Sequence, residues 1–146
     1  MRVKNKKFST IWIDNREVKI IDQTKLPFEF KVQKLKSLND FCRAISDMKV
    51  RGAPLIGVTA ALGFAKSIEQ NSSTLNIKKC YRKLLKTRPT AVNLKWALDT
   101  IKKKLLKTIP SKRASLAIEL ANLIRNNDIE NCKQIGINGL KIIEQI

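Results

Sequence analysis

Histidine is absent from this 146-residue chain. That removes the commonest general base and excludes Ser–His and Cys–His catalysis, along with any His-ligated metal. Cysteine is scarce: Cys42, Cys80 and Cys132 stand far apart, with no C-x-x-C pair. With no histidine to supplement them they do not make a zinc site. Each falls in an apolar helical pattern and reads as a small buried or half-buried hydrophobe. Two tryptophans and one tyrosine leave little for stacking on bases. No apolar run reaches about 18 residues, so no membrane span is expected. The opening MRVKNKKFST is basic but lacks the apolar centre of a signal peptide. The expected location is the cytoplasm, and no cofactor or metal is expected.

Acidic residues are few as well, 12 against 30 lysines and arginines, for a formal net charge of +18. Such a charge attracts polyanions. Yet lysine, isoleucine and asparagine are all abundant, and all have A/T-rich codons. Lysine also far outnumbers arginine, a poor signature for bidentate phosphate or base contacts. The composition reads as a solvated lysine surface, and nucleic acid is not the expected partner.

What is present is enough for one domain with a core, since 43% of residues are hydrophobic. Residues 8–13 alternate, with Phe8, Thr10 and Trp12 on one face and Ile11 and Ile13 on the other. DNRE is a turn signal, and residues 18–22 supply the return strand of a hairpin. FEFKV, residues 28–32, predicts a third short strand.

The rest has helical periodicity. Ser37 with Asp40 is a capping-box-like start, followed by Leu38, Phe41, Ile45 and Met48 on one face. A second helix begins at Pro54 and is apolar nearly all round, so it should be central and buried. SSTLN, residues 72–76, reads as a loop. Ile77, Tyr81, Leu84 and Leu85 stripe a third helix that must stop before Pro89. Thr90 can cap a fourth, Pro110 and Ser111 open a fifth, and Asp128 can cap a sixth. That last helix runs, still apolar, to Ile146.

These elements predict an α+β protein: a small antiparallel β-rich unit over residues 1–36, then a bundle of about six helices over 37–146. Strands and helices do not alternate, so no Rossmann-type sheet is expected.

Two helix starts carry an arginine. In VRGAP, Gly52 permits positive φ, Pro54 sets the helix direction, and the first-turn amides have no intrahelical partner. Such an N-terminus binds phosphate, and Arg51 adds a planar cation able to grip it. A plain helix-initiating turn with a surface arginine fits the same residues, and the residues alone leave both open. TRPTAVNL repeats the pattern with Arg88. Asn93, one turn in, is expected to hold that loop by hydrogen bonds.

ISDMKVRGAPLIGVTAALGFA and RPTAVNLKWAL together resemble the two N-terminal signatures of the methylthioribose-1-phosphate isomerase family. Its superfamily includes ribose-1,5-bisphosphate isomerases and the regulatory subunits of translation initiation factor 2B. TIWIDNREVKIIDQTKLP is similar to the family's start, and NCKQIGINGLKII to the helix ending its N-terminal region. The resemblance covers essentially the whole chain, and RPTAVNL followed by WAL favours the isomerase branch.

The resemblance implies that Arg51, Gly52, Ala53 and Arg88 contact a sugar-phosphate substrate. It implies a cofactor-independent aldose–ketose isomerisation in methionine salvage. It also implies that the catalytic cysteine and aspartate belong to a Rossmann-like C-terminal domain missing from this sequence. Cys132 does not match the catalytic position and reads as core. Asp14, Asp22, Asp40 and Asp47 have turn, cap or surface explanations. The expectation is therefore a sugar-phosphate-binding half with no catalytic residue, inactive alone. It would be either a remnant of a decayed gene or one part of a split enzyme whose C-terminal half is separately encoded. The alternative is a non-catalytic interaction module related to the initiation-factor subunits, contacting RNA through its lysines. Apolar surface on the final helix and on parts of the helix over residues 54–68 should be left bare, so self-association is expected.

Overall fold

A two-residue reversal at Asn15 and Arg16 organises the β-unit. The computed structural model describes residues 2, 3 and 5–145, so Ile146 lies outside the described residues. Strands β1 (Arg2–Val3) and β2 (Lys6–Lys7) form a short antiparallel pair. Strand β3 (Ile11–Asp14) turns into β4 (Glu17–Ile21), with Asp14 opposite Glu17. Asn15 and Arg16 have φ of 48° and 64°, the doubly positive geometry whose twist suits a two-residue hairpin. Strand β5 (Val32–Leu35) pairs with the other edge of β4, giving the order β3-β4-β5.

The third strand thus lies later than residues 28–32, where the alternation of FEFKV placed it. Phe28 is 98% exposed, and Phe30 packs its ring 4.9 Å from that of Phe8 instead of entering a ladder. Upstream, the Asp22 carboxylate accepts the amide and hydroxyl of Thr24 and closes a turn.

Helix α1 (Leu38–Ser46) starts at a complete capping box: Ser37 Oγ accepts the Asp40 amide, and the Asp40 carboxylate accepts the Ser37 amide at 2.9 Å. Helix α2 (Ala53–Gln70) is buried nearly all round and packs against every other helix. Helix α3 (Thr74–Leu85) begins earlier than its apolar stripe showed, because Ser73 caps it through the Asn76 amide; residues 74–76 are helix, not loop. Helix α4 (Val92–Leu106) buries Leu94, Leu98, Ile101 and Leu105. Thr90 does not cap it. The Ala91 amide bonds Arg88 O at 3.0 Å, so a turn intervenes and Ala91 takes the N-cap position without a side-chain bond.

Helix α5 (Pro110–Ile143) is one continuous helix of 34 residues where two were expected, so five helices are present among the described residues. Asp128 lies mid-helix and caps nothing. No proline or glycine interrupts residues 125–131, and polar residues alone do not stop a helix. The buried face of α5 ends at Ile124. Cys132 is exposed, not core, while Cys80 is buried and Cys42 half-buried. Ile135, Leu140, Ile142 and Ile143 are exposed as expected, but α2 is not left bare: its apolar side chains from Leu55 to Ile68 are buried. The α+β class holds, with both described sheets antiparallel.

Candidate functional site

The segment between α1 and α2 is pinned before it reaches the candidate residues. Met48 leaves α1 with φ 59°, a left-handed turn that its amide closes on Ile45 O at 3.3 Å. Lys49 O accepts the Gln23 amide at 2.9 Å and ties the segment to the β-unit. Val50 is fully buried, with its amide on Ala44 O. Arg51, Gly52, Ala53 and Pro54 then stand exposed in succession.

Gly52 has φ 93° and ψ 132° as the α2 N-cap. A Cβ there would meet nothing within 4 Å, so the backbone conformation, not space, asks for glycine. No side chain caps α2 and no acidic residue occupies its first turn. Pro54 has no N–H, and the Ala53 and Leu55 amides belong to the helical turn that lacks internal acceptors. The helix dipole adds partial positive charge.

The two arginines, far apart in sequence, meet at one residue. Arg51 Nε donates to Met48 O at 3.3 Å, and Arg88 Nη1 approaches Met48 Sδ at 3.1 Å. Neither arginine is in an ion pair among the described residues. Two permanent cations and an uncapped helix N-terminus are the kind of arrangement that can attract an anion.

Asn93 acts otherwise than expected. Its side chain makes no hydrogen bond among the described residues, and its backbone is what matters: a Cβ on Gly57 would lie 3.0 Å from Asn93 O. The missing side chain at Gly57 lets α4 close on α2. Met48 and Gly57 lie inside the first motif, but the contacts they make here are not visible in it. A methionine in a left-handed turn has no sequence signal, and a helical glycine shows its purpose only against its neighbour.

Beside the α2 N-terminus lies a groove of about 300 Å³ between α2, α4 and α5, lined by Pro54, Gly57, Asn93, Trp96, Asp128 and Ile135 among others. Burial pushes the Asp128 carboxyl above its ordinary value. The four aspartates weighed from sequence are otherwise engaged: Asp14 pairs with Lys19, Asp22 closes its turn, Asp40 caps α1, and Asp47 accepts from Ser46 at the end of α1.

Residues 49–146 match the model of the initiation factor 2 subunit family. Over its whole length the chain is 46% identical to the methylthioribose-1-phosphate isomerase of Escherichia coli O45:K1 and 45% identical to that of Rhizobium meliloti. It covers 40% and 41% of those proteins, about two-fifths of their length. Among solved structures it is similar to 5-methylthioribose 1-phosphate isomerase from Pyrococcus horikoshii, with TM-score 0.76 and 37% identity over 83% of this chain and 36% of that one. It is also similar to translation initiation factor eIF-2B, subunit delta, from A. fulgidus, with TM-score 0.77 and 30% identity over 85% of this chain and 38% of that one.

Proposed function

This chain belongs to the initiation factor 2 subunit family, and on that premise we propose that it is the N-terminal, sugar-phosphate-binding portion of a methylthioribose-1-phosphate isomerase-like protein of the cytoplasm. The observation that carries this reading is the meeting of Arg51 and Arg88 at Met48, beside the uncapped start of α2. An aldose–ketose isomerisation moves a proton between neighbouring carbons and needs a placed acid and base. Arg51, Arg88 and the amides of the Gly52–Ala53 turn hold the phosphate and orient the sugar. The acid and base come from residues outside this N-terminal portion. By itself this chain binds substrate and does not turn it over.

Calorimetric titration with methylthioribose 1-phosphate tests this. Arg51→Ala and Arg88→Ala should each weaken binding roughly 10- to 100-fold, the loss of a charge-assisted bond of about 1.5–3 kcal/mol. Unchanged affinity in both variants would overturn the cradle. Mixing the chain with the C-terminal portion of the Escherichia coli relative should give isomerase activity. Enzymatic turnover by the 146-residue chain alone would refute the division of labour.

The exposed end of α5 is where the rest of the fold would dock. Ile135, Ile142 and Ile143 are 72%, 64% and 67% exposed, a surface that a complementary portion would cover. Left uncovered, this surface drives self-association of the 146-residue chain. Sedimentation should show oligomers that Ile135→Lys with Ile142→Lys dissolves, and a monodisperse wild-type monomer at high concentration would contradict this.

A further inference from the structure

Composition alone argues against nucleic acid, but the placement of the charges argues for it. A codon bias would scatter lysine evenly, whereas this molecule segregates its charge. Along the free end of α5, Arg125, Lys133 and Lys141 are balanced by Asp128, Glu130 and Glu144. Helix α3 carries Lys78, Lys79, Arg82 and Lys83, all exposed, and no acidic residue. The last turns of α4 carry Lys102, Lys103 and Lys104. The one acid of these two helices, Asp99, is already engaged: Tyr81 Oη donates to one oxygen at 2.7 Å and Lys95 Nζ to the other at 2.5 Å.

The cations converge. A groove of about 320 Å³ between α3 and α4 is lined by Lys78, Tyr81, Arg82 and Lys102, with no carboxylate. Lys102 Nζ sits 3.9 Å over the Tyr81 ring centroid, which holds the ammonium in the groove without neutralising it. Arg82 donates only Nε to protein, to Lys78 O at 3.3 Å, and both of its Nη groups are free of protein partners among the described residues. On the opposite flank of α3, Lys79 and Lys83 line a second groove, so the helix is a basic ridge with cations on both sides.

We propose that the α3–α4 face is a binding site for the phosphate backbone of single-stranded nucleic acid, with Lys78, Arg82 and Lys102 gripping successive phosphates. A ridge with charge on both flanks suits a linear polyanion better than a single small anion. The groove walls are the stems of Lys78, Arg82 and Lys102 and the Tyr81 ring, with no Leu, Ile, Val, Met or Phe to enter a bilayer, which suits a strand better than a membrane surface. Because Lys102 covers the Tyr81 ring, recognition is electrostatic and independent of base sequence. This site is separate from the Arg51–Arg88 cradle and does not rest on it.

Anisotropy of the full chain with fluorescein-labelled oligouridylate of about 20 nucleotides, titrated between about 50 and 200 mM salt, tests the proposal. Lys78→Gln/Arg82→Gln/Lys102→Gln should weaken binding at least about 10-fold and lower the salt slope by roughly 2, about 0.7 per lost phosphate contact on a single strand. Lys25→Gln/Lys31→Gln/Lys36→Gln removes the same charge from exposed positions of the β-unit and should cost no more than about 3-fold. Lys78→Arg/Arg82→Lys/Lys102→Arg keeps the charge and should bind as the wild type does, which separates loss of contacts from loss of fold. Equal losses in the two glutamine triples would overturn the proposal. So would no binding at about 0.15 M salt, or tighter binding to phosphatidylserine vesicles than to the oligonucleotide.

Discussion

The thioether sulfur of Met48 lies 3.1 Å from Nη1 of Arg88, while the carbonyl oxygen of the same residue accepts from Nε of Arg51 at 3.3 Å. Both acceptors are neutral, and a thioether is a weak one. The guanidinium groups are therefore held near each other by partners that are cheap to exchange for a phosphate. Met48→Leu should change phosphate affinity by no more than about 3-fold, since it removes only a weak acceptor. Met48→Glu puts a carboxylate between the arginines and should lower affinity at least about 10-fold. Calorimetry with inorganic pyrophosphate reads both, and equal affinity in the glutamate variant would show that the arginines do not share the site.

Gly52 should resist substitution for a backbone reason alone. With φ 93° and open space around the missing Cβ, Gly52→Ala meets no clash. The cost is the positive-φ, extended-ψ conformation, which side-chain-bearing residues scarcely adopt, about 1–3 kcal/mol. Urea denaturation should show that loss. An alanine variant as stable as the wild type would mean that the turn relaxes readily to negative φ.

Gly63 should fail for the opposite reason. A Cβ there would lie 2.6 Å from Cγ and 2.7 Å from Cβ of Phe41, a fully buried ring at the α1–α2 contact. Gly63→Ala should destabilise by about 1–3 kcal/mol through overpacking. Combined with Phe41→Ala, which removes the Cγ and Cδ1 atoms of that contact, its cost should shrink, and a double-mutant cycle reads the coupling. Additive effects would sink the packing explanation.

Arg113 is buried, with no acidic partner among the described residues. Its Nε donates to Leu105 O at 3.0 Å and Thr108 O at 2.9 Å, and Nη1 donates to Ser72 O and Thr74 Oγ1, both at 3.0 Å. The guanidinium thus closes the C-terminal end of α4, where the dipole is negative, and ties it to the start of α3. Arg113→Met should cost about 2–4 kcal/mol by orphaning those carbonyls. A midpoint within about 0.5 kcal/mol of wild type would show that water replaces the contacts.

Two aspartates should pull stability in opposite directions with pH. The Ser37 amide and hydroxyl hold the Asp40 carboxyl below its ordinary 3.8. Its contribution is present above the unfolded value and is lost as pH falls through the folded one. Asp40→Ala should therefore be less stable than wild type at neutral pH, and the gap should close in acid. Burial raises the Asp128 carboxyl above 3.8, so its neutral form is favoured and its contribution is lost as pH rises through the folded value. Asp128→Asn should be more stable than wild type at neutral pH and equal to it in strong acid. Thermal melts from acid to neutral pH check both signs.

Much of this was legible in the chain because local chemistry decides it. The positive-φ reversal at DNRE, the Ser37–Asp40 box and the all-round burial of α2 follow from turn propensity, capping and apolar density over neighbouring residues. The class, and the glycine–proline start of α2 after Arg51, follow in the same way. What local pattern could not decide was where an element gives way to a contact. FEFKV alternates like a strand, yet Phe30 packs at a tilt on Phe8 and the ladder starts later. Asp128 has the chemistry of a cap, yet α5 runs through it because nothing there breaks the helix. Only the tertiary structure brought Arg88 onto Met48 and Asn93 O against Gly57. Only the packing of α3 on α4 gathered Lys78, Arg82 and Lys102 into one groove. Capping, turn type and helix period act over a few residues and so can be read along the chain. Convergence across the fold depends on close packing between helices, which no single stretch of sequence specifies.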